Sequence, residues 1–362
     1  MKRIAEFTVE ELCQQLPNVE VASSKDYEFA NVFFTSLGFE DRSLAIPSRL
    51  SGLIERAFVF VPSTNQVDNK KNESELRSRL TQNGIAYKEI SGQSADIDVA
   101  IERVIDSLST ITDIPLRCTV DISVMPSRFM IPLILRLIEI NCELKILYAM
   151  ARDYAPSIVE FQANIDSFCS ASNETTEYGV EAIVPSIAHP GQHLDQLPAC
   201  IILFPNFRKQ RSLAVISEVD ESLVGAKTQQ VVWFLTKPLD SSYDWRLDAT
   251  RAVNNIDESS LCQTVDSIDY RQTILHLEHV YLRKWRTHNI SISPLGTKMQ
   301  RLGVALFNYF RPSTRLIYAH PVKYNSSQWS NGVGETFVVN LGCTQDLRRK
   351  LIQVGSLRVM ET

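Results

Sequence analysis

The sequence predicts an α/β protein made of two tandem Rossmann-like parallel-sheet units related by internal duplication. Three observations carry this. Short β-branched or aromatic runs alternate with longer helical patterns, the order that gives parallel strands joined by right-handed crossovers. Polar residues also recur at a near-constant offset. Ser123 and Ser293 lie 170 positions apart, as do Arg128 and Lys298, Tyr148-Ala149 and Tyr318-Ala319, and Tyr154 and Tyr324. Ser43-Leu44-Ala45 recurs as Ser212-Leu213-Ala214 at 169 positions, which pairs Arg42 with Arg211. Third, 362 residues suffice for two cores of about 150 residues each. Four spans follow: an N-terminal arm (1–28), a first unit (29–150), a connector (151–197), and a second unit with a C-terminal extension (198–362).

In the arm, Thr8 followed three places later by Glu11 is a capping box for a short helix, read as a lid, a partner contact or a docked arm. The first unit opens with a strand at 30–34 and a Gly38 turn into a helix over about 40–53. The near-continuous apolar run Ala57–Val61 marks a strand covered on both faces. A helix over about 73–82 ends at Asn83-Gly84, and Ala86–Ile90 is the third strand. Helix 96–108, strand Leu116–Ile122, helix Ser127–Ile140 and strand Leu144–Ala149 complete the unit, with Pro132 a kink or a later start for the last helix. The connector, rich in Ser, Asn, Thr and Pro and including His189-Pro190-Gly191, holds at most a helix or hairpin. The second unit repeats the plan: strands at 199–204, 231–235, 288–293 and 314–319, with helices at about 209–220, 247–254, 269–285 and 298–310. Residues 321–336 read as a loop, 337–341 as an extra strand and 345–354 as a closing helix.

Composition narrows the class. A hydrophobic fraction of 44% with 22% charged residues is ordinary for a globular chain. The formal net charge of −5 argues against non-specific DNA binding, which needs a basic surface, though not against a local basic pocket. The seven cysteines (Cys13, Cys118, Cys142, Cys169, Cys200, Cys262 and Cys343) form no Cys-x-x-Cys pair, and no signal peptide is recognisable. The reading is a reduced, cytoplasmic chain. No apolar run approaches a membrane span.

In an open parallel sheet of order 3-2-1-4-5, ligands bind past the carboxyl ends of strands one and four, where the winding reverses. That places the loop 36–43 beside 123–128, and 205–212 beside 293–298. The shared polar residues fall at these switch points. Ser36, Ser123, Ser127, Ser293 and Thr297 offer hydroxyls, and Gly38 and Gly296 permit close backbone approach. Arg128 and Lys298, in the first turn of a helix, sit against the macrodipole, which points to an anionic guest. Arg42 and Arg211 are weaker candidates of the same kind. Asp121 either orders its turn or meets a ribose hydroxyl, and the second site is the more basic, Lys209 standing where Glu40 does. His320 and Tyr324 follow the last strand, and 324–335 reads as a lid whose Tyr324 or Trp329 stacks on a base, or as a surface loop. His276 and His279 lack a third ligand, so no metal is expected, and no cofactor is implied. Gly-x-Gly-x-x-Gly after a first strand, a Walker lysine, a Gly-x-Ser-x-Gly elbow and His-Glu-x-x-His are all absent from the sequence.

AspIleSerValMetProSerArg (121–128) and SerIleSerProLeuGlyThrLysMet (291–299) resemble the motif of the CRISPR-associated Rossmann fold (CARF) domain, with LeuGlyThrLysMet the closer match. Two such units in one chain resemble the SAVED arrangement, a fused pair of CARF-like halves that senses cyclic nucleotides in antiphage systems. The resemblance implies a cyclic oligonucleotide ligand facing Ser36, Ser123, Arg128, Ser293, Thr297 and Lys298. Family members are usually fused to an effector. The two units leave no span for one here, which implies a separate effector protein or an activity within the sensor fold itself. Two functions stay open: a sensor, and an enzyme cleaving or transferring a nucleotide or phosphorylated sugar in the manner of a ring nuclease. Catalytic residues are not identifiable, because no convincing general base accompanies the cations.

Overall fold

The computed structural model of the chain describes residues 7–28, 30–51, 54–91, 97–108, 116–170, 177–180, 182–186, 190–225 and 229–356. His189 and the Asp96 start of the third helix lie outside them. The first part of the chain contributes α1 (Val9–Gln15), β1 (Glu20–Val21), β2 (Val32–Ser36), β3 (Arg56–Val61), α2 (Gln66–Gln82), β4 (Ala86–Ser91), α3 (Ile97–Leu108), β5 (Leu116–Asp121), α4 (Ser127–Glu139) and β6 (Cys142–Tyr154). The connector carries α5 (Ile158–Ala163), α6 (Ile165–Cys169), β7 (Glu177–Tyr178) and β8 (Ala182–Pro185). Then follow β9 (Ala199–Leu203), α7 (Lys209–Val219), β10 (Val231–Lys237), α8 (Trp245–Asn254), β11 (Leu261–Asp266), α9 (Tyr270–Lys284), β12 (Asn289–Ser293), α10 (Lys298–Phe310), β13 (Arg315–His320), β14 (Lys323–Tyr324), β15 (Ser330–Cys343) and α11 (Thr344–Ser356).

Two mostly parallel sheets result. In the first, β4-β3-β2-β5-β6 lie side by side, and in the second β11-β10-β9-β12-β13 do. Both are the order 3-2-1-4-5, so each half is a Rossmann-like α/β unit with its switch point between the first and fourth strands. Each fifth strand gains an antiparallel neighbour from the other side of the chain. The C-terminal β15 pairs with β6, from Ser330 opposite Tyr154 to Cys343 opposite Glu143. The connector's β8 pairs with β13. The two halves are therefore interleaved, and the C-terminal extension of the second unit completes the first sheet.

Strand alternation decides the layers. Phe33 points to a cluster on the outer face of sheet one, while Val32 and Phe34 point inward. The inner faces of both sheets close on one continuous core containing α3, α4, α9 and α10, with Phe129, Ile134, Leu302 and Phe307 fully buried. α4 and α10, the repeat-related helices, pack against each other in that layer. Their first turns emerge together at one end of the seam.

Several elements depart from expectation. The helix over 40–53 is instead two short 3-10 turns, Asp41–Leu44 and Pro47–Arg49, because Pro47 has no N–H to continue a helix. The polar α2 begins at Gln66, seven residues early, with Asn65 in the left-handed region at its start. Pro132 lies inside α4 without ending it. β11, the edge strand of sheet two, has no counterpart in the sequence reading. The loop expected over 321–336 holds β14 and the first half of β15, whose bulge falls between Val333 and Thr336, beside Gly332 at φ 67°. The capping box of α1 is present: Thr8 Oγ1 accepts from the Glu11 amide, and Glu11 accepts from the Thr8 amide. The arm packs α1 on α9 and pairs β1 with β15.

Candidate functional site at the seam

The two switch points open into one cavity of about 450 Å³, within the size range of small-molecule pockets. Its wall takes Gly38, Arg42, Ser127 and Arg128 from the first half, and Arg211, Gly296, Thr297, Lys298, His320 and Tyr324 from the second. Ten of the thirteen residues singled out in the sequence thus meet at a single site. No described residue of the N-terminal arm lines it.

The other three do not reach the wall. Ser36, Ser123 and Ser293 are fully buried beneath it. The Ser36 hydroxyl donates to the Phe60 carbonyl at 3.0 Å, and the Ser123 hydroxyl accepts from the Ala149 amide at 2.8 Å. These two bonds tie strand ends together. Ser293 Oγ has no partner within hydrogen-bond distance. Asp121 also lies beneath the cavity, accepting from the Ser123 amide at 2.9 Å and the Thr35 hydroxyl at 3.0 Å. It orders the turn, and burial pushes its carboxyl up to about 6. The two glycines answer to packing. A methyl on Gly38 would meet Val124 at 3.0 Å, and one on Gly296 would strike Gln300 Oε1 and come within 3.1 Å of Phe204. Gln300 is the residue that closes the capping box of α10 with Thr297.

The repeat extends to hydrogen bonding. Arg42 donates to the Ala149 carbonyl and is held by Glu40 at 2.9 Å. Arg211 donates to the Ala319 carbonyl and is held by Glu177 at 2.9 Å. Ala149 and Ala319 are themselves 170 positions apart. In each half a buried guanidinium, neutralised by one carboxylate, latches the turn after strand one to the end of strand five. Burial works against the charge of Arg42, but Glu40 outweighs it and raises its pKa further. Arg42 and Arg211 are thus structural latches, and the carboxylates come from different places. Glu40 is two residues from its arginine, whereas Glu177 arrives on the β7–β14 ribbon, directly opposite Tyr324.

The cavity is electropositive. Eight lysine and arginine side chains line it (Arg42, Arg128, Arg152, Arg208, Arg211, Arg246, Lys298 and Arg301) against three carboxylates, Glu40, Glu177 and Asp240. Arg128 donates to the Ser63 hydroxyl at 3.2 Å. Lys298, half-buried, donates across the seam to the Met125 carbonyl, and Ser127 reaches the Pro294 carbonyl at 3.5 Å in the opposite direction. Burial holds the Lys298 ammonium well below the usual lysine range, with Arg301 and Arg42 adding repulsion. His320 is held neutral, its pKa lowered to about 3 by burial and then by Arg128 and Arg211. Its Nε2 is buried without a partner. Tyr324 and Trp329 meet edge to face at 4.7 Å on the wall, but residues 330–335 belong to β15 and do not form a loose lid.

Four cations escaped the sequence reading: Arg152, Arg208, Arg246 and Arg301. Arg152, Arg208 and Arg301 have no cationic counterpart 169 or 170 positions away, and Arg77, which stands 169 positions before Arg246, does not line the cavity, so the offset gave no signal for them. Arg246 lies 4.8 Å from the Phe207 ring centre and donates to the carbonyls of Tyr154, Ala155 and Pro156. Among the described residues no cluster could hold a metal ion, and no helix is long and apolar enough to cross a membrane. His276 bonds Gln263 and His279 approaches Glu10, both away from the cavity.

No family model matches the chain, and no curated protein matches it. Among solved structures, the cytoplasmic domain of a prokaryotic cation chloride cotransporter is one that aligns, over 83% of this chain and 97% of its own at 9% identity. Its TM-score of 0.23 is too low to bear on function.

Proposed function

We propose that the chain is a sensor of a nucleotide second messenger, of the cyclic oligonucleotide class used in antiphage defence, and that it signals to a separate effector protein. One observation carries the reading: both switch points open into one cavity with eight cations on its wall, in a chain whose net charge is −5. A positive cavity in an acidic protein selects for a compact, multiply charged anion over a nucleic-acid polymer. Two half-sites facing each other suit a guest whose phosphates recur around a ring. Tyr324 and Trp329 add aromatic surface for bases. The CARF-like and SAVED-like resemblance of 121–128 and 291–299 supplies the defence context.

A catalytic reading on the same scaffold has a specific observation of its own. Neutral His320, with an unpartnered Nε2 able to accept a hydrogen bond, shares the wall with Lys298, whose lowered pKa makes its ammonium a readier proton donor than an ordinary lysine. Incubation with radiolabelled cyclic oligonucleotides separates the two. Retention of intact ligand supports the sensor, whereas products that vanish in Lys298→Ala support the enzyme. Neither retention nor products, across the panel, removes both.

A further inference from the structure

The eight cations are not equivalent, and the difference divides the cavity. Arg42 and Arg211 already hold Glu40 and Glu177, and Arg152 pairs with Asp153 at 3.0 Å. Three others have no carboxylate within ion-pair distance among the described residues: Arg246, Lys298 and Arg301. Each donates to main-chain carbonyls, and Arg246 also lies over the Phe207, Tyr243 and Trp245 rings. Arg301 donates to the Leu295 carbonyl at 3.3 Å, and its Nε, like that of Arg246, is buried without a partner. A desolvated guanidinium without a counter-ion is unfavourable, and burial lowers both arginines to about 10. All three belong to the second half. A planar guanidinium with an unused Nε matches the two-pronged geometry of a phosphate, and the ammonium adds a compact charge beside it.

We infer that the seam cavity is asymmetric, and that the phosphate groups of its guest are taken by Arg301, Lys298 and Arg246 of the second half, not by the repeat-related arginines. This rests on the reading of the cavity as a site for a phosphate-bearing nucleotide. The repeat-related Arg42 and Arg211 hold the architecture, and Arg246 and Arg301 supply positive charge that no carboxylate among the described residues neutralises.

The test is calorimetric titration of the full chain with two probes, inorganic pyrophosphate and cyclic triadenylate. Wild type is expected to bind pyrophosphate, and Arg301→Met combined with Lys298→Met to weaken it by more than about tenfold. The latch variant Glu40→Gln with Arg42→Gln, which removes a charge pair and keeps hydrogen-bonding groups, is expected to change it by less than about threefold. A larger loss in the latch variant than in the Arg301 variant overturns the inference. So does binding of cyclic triadenylate by a wild type that ignores millimolar pyrophosphate, an outcome that leaves the sensor reading standing. Binding of neither probe counts against both. Because the latch variant risks misfolding, a crystal structure of wild type with pyrophosphate gives an independent reading. Phosphorus density beside Arg301 and Arg246 supports the assignment, and density confined to Arg128 and Arg152 contradicts it.

Discussion

Lys298, the first residue of α10 in the second half, donates its ammonium proton to the main-chain carbonyl of Met125 in the first half. The bond crosses the seam at the place where a phosphate would compete for the same charge.

Lys298→Met should therefore separate binding from folding. It relieves the desolvation of an ammonium while leaving the Met125 carbonyl without its donor, a loss of about 1–3 kcal/mol. The two effects oppose each other, so the change in urea-unfolding free energy should stay within about 1.5 kcal/mol. Nucleotide affinity should fall at least about tenfold. A variant that unfolds outright would show that the contact is chiefly structural.

The latches should cost far more to break. Arg42→Met strands Glu40 in a buried site, and Arg211→Met strands Glu177, each at about 3–5 kcal/mol. Similar losses at both positions in urea denaturation would match their equivalent bonds to Ala149 and Ala319. A cost near zero at either would exclude the latch role there.

Asp121 gives a pH-dependent signature. Its folded pKa of about 6 lies above the unfolded value of 3.8, so its contribution is fully present below about pH 4 and is lost as pH rises through about 6. Above that, the buried carboxylate opposes folding by about 3 kcal/mol, from the size of the shift. Asp121→Asn keeps an acceptor for the Ser123 amide and removes the charge. It should be more stable than wild type by about 1–3 kcal/mol at pH 8, with the gain gone at pH 4. A destabilised variant at pH 8 would show that the carboxylate's hydrogen bonds outweigh its desolvation.

His320 should act in the opposite pH direction. Its folded pKa of about 3 lies below the unfolded 6.5, so stability from this group is present above about pH 6.5 and falls as the unfolded state takes up a proton. His320→Asn should flatten the decline in melting temperature between pH 6.5 and pH 4. Parallel curves for wild type and variant would place the histidine in contact with water.

Much of this architecture was legible in the sequence. The alternation of apolar runs and helical patterns predicted a parallel sheet in each half, the 3-2-1-4-5 order assumed for such a sheet is the one observed, and the bounds of α4 and α10 were read closely. Residues that failed did so for physical reasons. β11 is an edge strand with only Val265 buried, so it carries no apolar run. β8 and β15 owe their state to partners far along the chain, and local pattern cannot report an exchange between halves. Ser36, Ser123 and Ser293 looked like ligand hydroxyls because a serine closing a turn and a serine facing a guest leave the same trace. Arg246 and Arg301 left no trace because no matching cation at the repeat offset lines the cavity.

The most direct measurement is equilibrium dialysis of wild type against a panel of radiolabelled cyclic oligonucleotides, with Lys298→Met and Arg301→Met alongside. The account expects at least one member to be retained intact by wild type, with retention lost in both variants. Wild type that retains none of them, or variants that retain ligand as wild type does, would contradict it.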